Sequence, residues 1–519
     1  MIRRAAFISV HSSPLAAPGA GDAGGMNVYV DSLARTLAGR GIAVDVFTRR
    51  LDDEALEETG VMPRYRVIQI SASGDERADL IRSFAEGVEK WMDREGVQYD
   101  VLHSHYWLSG WAGLLLQDRL GVPLAISFHT LGRVKESARA PGEPRESLIR
   151  IATEAEVVAR AVCVVASTPA DAADLLEHYQ AAPERLCVSP PGVDHEMFSP
   201  GDVDEARRCL GIERKGRWLA VVGRIQPLKG IDIAIRALAR LGDDVRLLVV
   251  GGPSGPDGPA EVERLEALAE EVAPGRVEFR PPVAHEEVAC VYRAADVVVA
   301  PSRSESFGRV AAEAQASGTP VVAARVGGLV YAVCDGESGY LISGEDPNSY
   351  AAAIARILDA PETAARLSAG AVEHSAKFSW EASADRMMEL YTGMVGAGRR
   401  PPSRALGNWQ LAICESRICR LPSAVCRLPS AICHLPSAFC HRRTVREGAR
   451  AGAGRGPRAD RGVVSRARRR GIRSRKRNTR MSCRHGLCTT ACGWRWICGE
   501  PVDPATSCVV RAATPAITR

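Results

Sequence analysis

Two carboxylates and two cations carry the chemical interest of this sequence. Glu305 and Glu313 stand eight residues apart in 301-PSRSESFGRVAAEAQASGTPVVA-323, with Gly308 between them. Arg224 and Lys229 bracket the turn 223-GRIQPLKG-230. A guanidinium and an ammonium fixed beside a strand-to-helix turn suit a diphosphate, whose negative charge grows as it leaves. Carboxylates in a loop and on the helix after it accept hydrogen bonds from hydroxyls, such as those of a sugar and a ribose. Each feature alone is common, since a helix-start lysine is ordinarily solvated and Glu-x7-Glu arises by chance. Between a strand ending Pro301-Ser302 and the run 317-SGTPVV-322, the glutamate pair becomes a specific signal. The helix is predicted to begin near Phe307, with Glu305 before it and Glu313 about two turns along it.

A glycine loop is the third chemical feature. In 17-APGAGDAGGMNVY-29, Gly19, Gly21 and Gly24 spell G-x-G-x-x-G. A dinucleotide fingerprint starts where its strand ends and has an acidic residue closing the second strand. Here seven residues separate His11 from Gly19, and the second strand ends Phe47-Thr48-Arg49 without a carboxylate. Nicotinamide and flavin are therefore poor matches. The loop ends instead in Gly24-Gly25 at the start of a helix, where free N–H groups and the helix dipole favour an anion. His129 follows an apolar run, so it reads as a buried core histidine or as a functional group.

The elements that must hold these residues alternate. Apolar, β-rich runs at 5–11, 43–48, 67–71, 100–104, 123–129, 161–166 and 186–189 are separated by helical patterns at 25–40, 76–94, 107–119, 145–159 and 169–179. A second series of strands follows at 217–225, 246–252, 277–280, 296–302, 320–326 and 340–343. Strand–helix alternation predicts α/β architecture with mostly parallel, doubly wound sheets. The domains are expected at 1–192 and 193–378, then a closing amphipathic helix at 379–397 with Trp380, Ala384, Met387, Met388 and Tyr391 on one face.

Charge divides the chain. Residues 1–397 hold 41 Lys+Arg against 57 Asp+Glu, whereas 398–519 hold 26 against 5. Five cysteines lie in the body and ten in the tail. Those of the body are scattered without C-x-x-C spacing, which fits buried thiols in a reducing compartment. No apolar run approaches the ~18 residues of a membrane span and none forms a secretory leader, so a cytoplasmic protein without a membrane partner is expected. In the tail, 419–440 repeats CRLPSAV, CRLPSAI, CHLPSAF. A proline in every repeat forbids a coiled coil. Residues 398–519 read as a disordered extension or out-of-frame translation. A basic nucleic-acid arm, or a zinc site from Cys483, Cys488, Cys492 and Cys498, is the lesser alternative.

Together the three stretches resemble the retaining, nucleotide-sugar-dependent glycosyltransferases of the GT-B fold, two Rossmann-like domains facing a cleft. The resemblance spans about residues 3–395. The stretches 10-VHSSPLAAPGAGDAGGMNVYV-30, 128-FHTLGRVK-135 and 150-RIATE-154 narrow it to the mycothiol-pathway branch, which moves N-acetylglucosamine from UDP-GlcNAc onto 1D-myo-inositol 3-phosphate. The resemblance implies donor contacts from Gly25, Arg224, Lys229, Val283, Glu305 and Glu313, with Arg224 and Lys229 on the diphosphate, Val283 near the uracil, Glu305 on the sugar and Glu313 on the ribose. It implies acceptor contacts from His11, Asp22, Ala23, Gly24, Gly25, Met26, Asn27, Tyr106, Thr130 and Arg150. His129 would stand near the donor sugar. No cofactor is implied for the chemistry, although a structural Mg2+ site would map to Tyr292, Arg293, Ala295 and Thr319. A UDP-sugar and a phosphorylated polyol are the implied substrates; the sequence leaves the oligomeric state open, a homodimer among the options.

One departure bears on specificity. The family places a lysine in the acceptor-phosphate cradle, but 71-SASGDERADL-80 has none, and Arg77 is the nearest cation. Other acceptors therefore stay open, either a sugar phosphate as in sucrose-phosphate synthases or a lipid-linked sugar. A catalytically silent nucleotide-sugar binder also stays open.

Overall fold

The structure, a computed structural model, describes residues 2–16, 24–52, 54–139, 145–213, 215–255 and 258–396. Most of the apolar runs become parallel strands covered on both faces, which is why they read as continuous rather than alternating. The first lobe contains β1 (Arg4–Ser9), β2 (Ala43–Arg49), β3 (Glu58–Met62), β4 (Tyr65–Ile70), β5 (Val101–His105), β6 (Leu124–Ser127), β7 (Cys163–Ala166) and β8 (Leu186–Val188). They lie in the order β3-β4-β2-β1-β5-β6-β7-β8. The second lobe contains β9 (Arg217–Val222), β10 (Val245–Val250), β11 (Val277–Arg280), β12 (Val297–Ala300), β13 (Val321–Ala324) and β14 (Gly339–Ile342). Their order is β11-β10-β9-β12-β13-β14, all parallel. Strand order reverses between β1 and β5 and again between β9 and β12. A crevice opens at the carboxyl ends of strands at such points.

Alternate residues of β1 show the two covered faces. Ala6 and Ile8 join the core with Phe84, Trp91 and Leu102, while Ala5 and Phe7 join the core with Tyr29, Leu33 and Leu37. The antiparallel strand β3 is absent from the sequence prediction. Its residues, 58-ETGVM-62, are half exposed at the sheet edge, so they lack the apolar pattern of a covered strand. The turn that makes it is carried by Arg64 at φ 69 rather than by a glycine.

The closing helix, Trp380–Gly396, belongs to the first lobe although it follows the second in sequence. Trp380, Ala384, Met387, Leu390, Tyr391 and Met394 pack with Tyr29, Leu33 and Phe7. Tyr391 Oη lies 2.6 Å from His103 Nδ1 on β5. The two passages between lobes run side by side, with Val193 N donating to Phe378 O at 3.1 Å. Both lobes fall within one compact unit. Residues 398–519, expected to be disordered, lie outside the described residues.

Met387 is fully buried in that helix. Met387→Ala is expected to lower unfolding stability by about 2–5 kcal/mol in a denaturant titration. A loss below about 1 kcal/mol would show that the helix is only loosely docked.

Candidate active site

On the second lobe, the turn after β9 carries Arg224 and Lys229, and the loop after β12 carries Glu305. Lys229 Nζ and Glu305 Oε2 form an ion pair at 2.5 Å, each side chain about one quarter exposed. Two glycines make this approach possible. Gly230, at φ 64, turns the backbone where a Cβ would stand 2.1 Å from Pro301 O, and Gly327, at φ 45, lies where a Cβ would stand 2.2 Å from Glu305 O. Only glycine takes both the left-handed conformation and the contact. Lys229 and Glu305 line one cavity with Val222, Ser302, Gly308 and Leu329. Val283 stands half-buried in the segment between β11 and the helix His285–Ala294.

The helix bearing Glu313 spans Arg309–Ala316. It begins two residues later than predicted, because Gly308 at φ 97 interrupts the turn, and Glu313 sits one turn along rather than two. Glu313 is buried. Tyr292 Oη donates to its Oε2 at 3.0 Å, and Arg309 pairs with its Oε1. Burial acts to raise the Glu313 pKa, but the Arg309 charge and the His285 contact outweigh it and hold the carboxyl near 2.

On the first lobe, Asn27 folds the glycine loop. Its amide donates to Ser12 Oγ at 2.7 Å and to Ser13 O, and accepts from Gly24 N at 2.9 Å. Asn27 is 1% exposed, and its amide holds the loop expected to face the acceptor. Gly24, Gly25 and Met26 start the helix Gly25–Gly39. Asp22 and Ala23 lie outside the described residues.

Tyr106, Thr130 and Arg150 do converge. Arg150, 4% exposed, donates from Nη2 to Thr130 Oγ1 at 3.0 Å and from Nε to Glu154 Oε1 at 2.8 Å. Its guanidinium carbon lies 5.1 Å from the Tyr106 ring centre, and the His11 ring lies 5.0 Å from that same ring. Tyr106 reaches this position from a φ of 77, a strained conformation for a non-glycine residue. Arg77 is exposed at the start of the helix Arg77–Glu95, its guanidinium 5.9 Å from the Trp107 ring next to Tyr106. The cation nearest in sequence to the expected lysine thus stands over Trp107, the neighbour in sequence of the cradle residue Tyr106. Lys135 and Arg150 both pair with Glu146, whose importance no sequence signal marked.

The lobes meet at His129, which has φ 61. Its carbonyl accepts from Ser306 Oγ at 2.8 Å, and Thr168 Oγ1 donates to Ser306 O at 3.2 Å. Its Nε2 lies 3.2 Å from His105 Nδ1. His103 and His105 share a face of β5, a spacing that marks the pair in 103-HSH-105. Burial lowers the His103 and His129 pKa values from 6.5 to about 3, helped by neighbouring positive charge, from His129 and Arg309 respectively. Burial likewise takes His105 well below its ordinary value.

The residues expected around a structural magnesium ion sit at the carboxyl end of His285–Ala294. Carbonyls there point out of the helix, and its dipole favours a cation. Thr319 Oγ1 donates to Tyr292 O at 2.7 Å, while the Arg293 guanidinium turns away to Ser199 O at 2.7 Å. This is a set of neutral oxygens, which fits a hard cation that keeps several waters.

The buried histidines make a pH prediction. They are neutral when folded but titrate near 6.5 when unfolded, so below that pH the unfolded chain binds more protons. Stability is full above pH 6.5 and falls as pH drops toward the folded value of about 3. Unfolding free energy is expected to drop between about pH 7 and pH 5, by up to ~1.4 kcal/mol per pH unit for each histidine, with the melting temperature falling in step. His129→Asn should flatten that slope, and a flat wild-type profile would contradict buried neutral histidines.

The family description "Glycosyltransferase Family 4" matches residues 23–197, and "Glycosyl transferases group 1" matches residues 202–374. The chain is 44% identical over 406 residues to a D-inositol 3-phosphate glycosyltransferase of Corynebacterium diphtheriae, covering 75% of this chain and 95% of the relative. It is 48% identical over 421 residues to one of Geodermatophilus obscurus, covering 77% and 92%. Among solved structures, the sucrose-phosphate synthase of Thermosynechococcus elongatus superposes with a TM-score of 0.70 at 35% identity, over 76% of this chain and all of that one. An Anabaena protein crystallised with UDP and glucose shares the fold, with a TM-score of 0.62 at 20% identity over 75% of this chain and 99% of that one. Two parallel α/β lobes, a cleft at their switch points and identity at this level lead to one conclusion: the chain belongs to the D-inositol 3-phosphate glycosyltransferases, within the GT-B glycosyltransferases.

Proposed function

We propose that this glycosyltransferase moves N-acetylglucosamine from UDP-GlcNAc to 1D-myo-inositol 3-phosphate, with retained configuration, in mycothiol biosynthesis. The observation that carries the acceptor is the cradle of Arg150, Thr130 and Tyr106, with the exposed Arg77 beside it. A phosphate there would meet the guanidinium fork of Arg77, which binds it as a lysine would and with added directionality, beside the charge of Arg150, whose own fork is held by Glu146, Glu154 and Thr130. Across the cleft, the Lys229–Glu305 pair and Arg224 offer cations to the diphosphate and a carboxylate to the sugar hydroxyls.

In this mechanism the bond between sugar C1 and the β-phosphate oxygen breaks as an inositol hydroxyl attacks from the same face. The departing phosphate oxygen takes the hydroxyl proton. Lys229 and Arg224 stabilise the charge that accumulates on UDP, aided by the glycine-loop helix N-terminus. Glu305, tied to Lys229, orients the sugar rather than attacking it. His129, neutral at physiological pH, serves as a hydrogen-bond partner of the sugar. Bound magnesium would be held by carbonyls of Tyr292, Arg293 and Ala295 with Thr319, and would stiffen that helix end. No helix among the described residues is long and apolar enough to cross a membrane.

The likeness to a sucrose-phosphate synthase favours one second reading, a hexose phosphate as acceptor. Release of UDP from UDP-GlcNAc by the full chain separates the two. It is expected to require 1D-myo-inositol 3-phosphate and to fail with unphosphorylated inositol; turnover with a hexose phosphate alone would favour the second reading. Lys229→Ala and Glu305→Ala are each expected to cut kcat about 10²-fold or more, on the order of 3 kcal/mol of transition-state stabilisation. Near-normal rates in both would remove them from the site. Arg77→Ser should raise KM for the inositol phosphate about tenfold while leaving UDP affinity unchanged. An unchanged KM would place the phosphate elsewhere.

A further inference from the structure

Arg309 is a cation of the cleft that the transfer chemistry above leaves without a role. It is the first residue of Arg309–Ala316. A cation there faces the positive end of the helix dipole, and Arg four residues before Glu is the weaker order for such a pair. Local helix energetics therefore disfavour an arginine at this position. Its contacts run across the cleft instead. Nη1 donates to Gly25 O of the first lobe at 2.8 Å, and Nη2 to Glu313 Oε1. A Cβ on Gly25 would lie 3.8 Å from Arg309 Nη1, and one on Gly24 would lie 3.5 Å from Arg224 Nε. The two guanidiniums straddle the glycine pair. Arg309 Nε is buried and has no hydrogen-bond partner.

Glu313 depends on this arrangement. Tyr292 donates to one carboxylate oxygen and Arg309 to the other. With one protein donor on each oxygen, the carboxylate plane is fixed and a lone pair on each remains for an incoming hydroxyl. Remove Arg309, and a buried carboxylate is left with Tyr292 and a His285 nitrogen 3.9 Å away. A buried carboxylate without a fixed cation is costly and tends to protonate or move.

We infer that Arg309 is the positioning residue of the ribose subsite: it aims Glu313 at the two ribose hydroxyls and ties that carboxylate to the glycine-loop helix of the first lobe. Ribose recognition and closure of the cleft then share one side chain. The inference rests on Glu313 as the ribose partner.

Calorimetric titration of the full chain with UDP and with 2′,3′-dideoxy-UDP tests it. The wild type is expected to prefer UDP by about tenfold or more. Arg309→Leu should bring that ratio near one and raise KM for the UDP-sugar about tenfold, with kcat changed less. Arg309→Lys should restore part of the preference, and it still reports if the leucine variant folds poorly. Glu313→Gln combined with Arg309→Leu should be no worse than Glu313→Gln alone, because the two act as one unit. A wild-type ratio in both Arg309 variants, or losses that multiply in the double variant, would overturn the inference while leaving the donor in place. A wild-type chain that binds UDP but accepts the dideoxy compound equally would overturn the ribose role of Glu313 as well, and one that binds no UDP would overturn the donor reading itself.

Discussion

A parallel sheet places the carboxyl ends of its strands on one edge, and the edges of two such sheets come together in this chain. The rest of the site depends on that constraint. Each edge has a point where strand order reverses, so the connections on either side leave in opposite directions and open a crevice. The glycine loop after β1 and Tyr106 after β5 stand at one reversal point, with the histidine segment after the neighbouring strand β6 beside them. The turn bearing Arg224 and Lys229 and the loop bearing Glu305 stand at the other. The chemistry-bearing residues are far apart in sequence because each belongs to a different connection of these two edges.

Bringing charges to such a cleft creates a problem of burial, and the structure resolves it by pairing. Glu305 is held by Lys229, Glu313 by Arg309 and Tyr292, Glu154 by Arg150. An unpaired buried carboxylate would be strongly disfavoured, whereas a paired one keeps its charge and its direction. The histidines take the opposite course, as burial without a carboxylate partner leaves them neutral. A cleft of paired ions and neutral imidazoles is ready to receive polyanionic substrates, because its cations are held in place before any phosphate arrives.

The backbone contributes as much as the side chains. Ser306 bonds to the His129 carbonyl, Thr168 bonds to the Ser306 carbonyl, and Arg309 bonds to the Gly25 carbonyl. Three contacts thus join Ser306 and the first residue of the Glu313 helix to three separate segments of the first lobe. The closing helix adds a fourth tie by returning the chain to the first lobe's core and placing Tyr391 against His103. The geometry of one lobe is thereby tied to that of the other through main-chain carbonyls.

The sequence by itself determined the α/β class, because apolar runs and helical periods alternate regularly, and it determined the second-lobe motif, because Arg224, Lys229, Glu305 and Glu313 each sit next to a strand-ending signal. The pair Gly24-Gly25 was legible for a similar local reason, whereas the need for glycine at Gly230 and Gly327 comes from contacts with Pro301 O and Glu305 O that only the fold creates. What only the tertiary structure decided are the relations between distant segments. Asn27 looks like a ligand residue in its glycine loop, yet the loop's own fold uses its amide. Strand β3 lacked a signal because an exposed edge strand needs no apolar alternation. Arg309 reads as an ordinary helix-surface residue until its carbonyl partner 284 positions away comes into view. Periodicity and spacing report what a residue does within one element. Whether its charge is buried, and which partner compensates it, is set by elements that meet only when the chain folds.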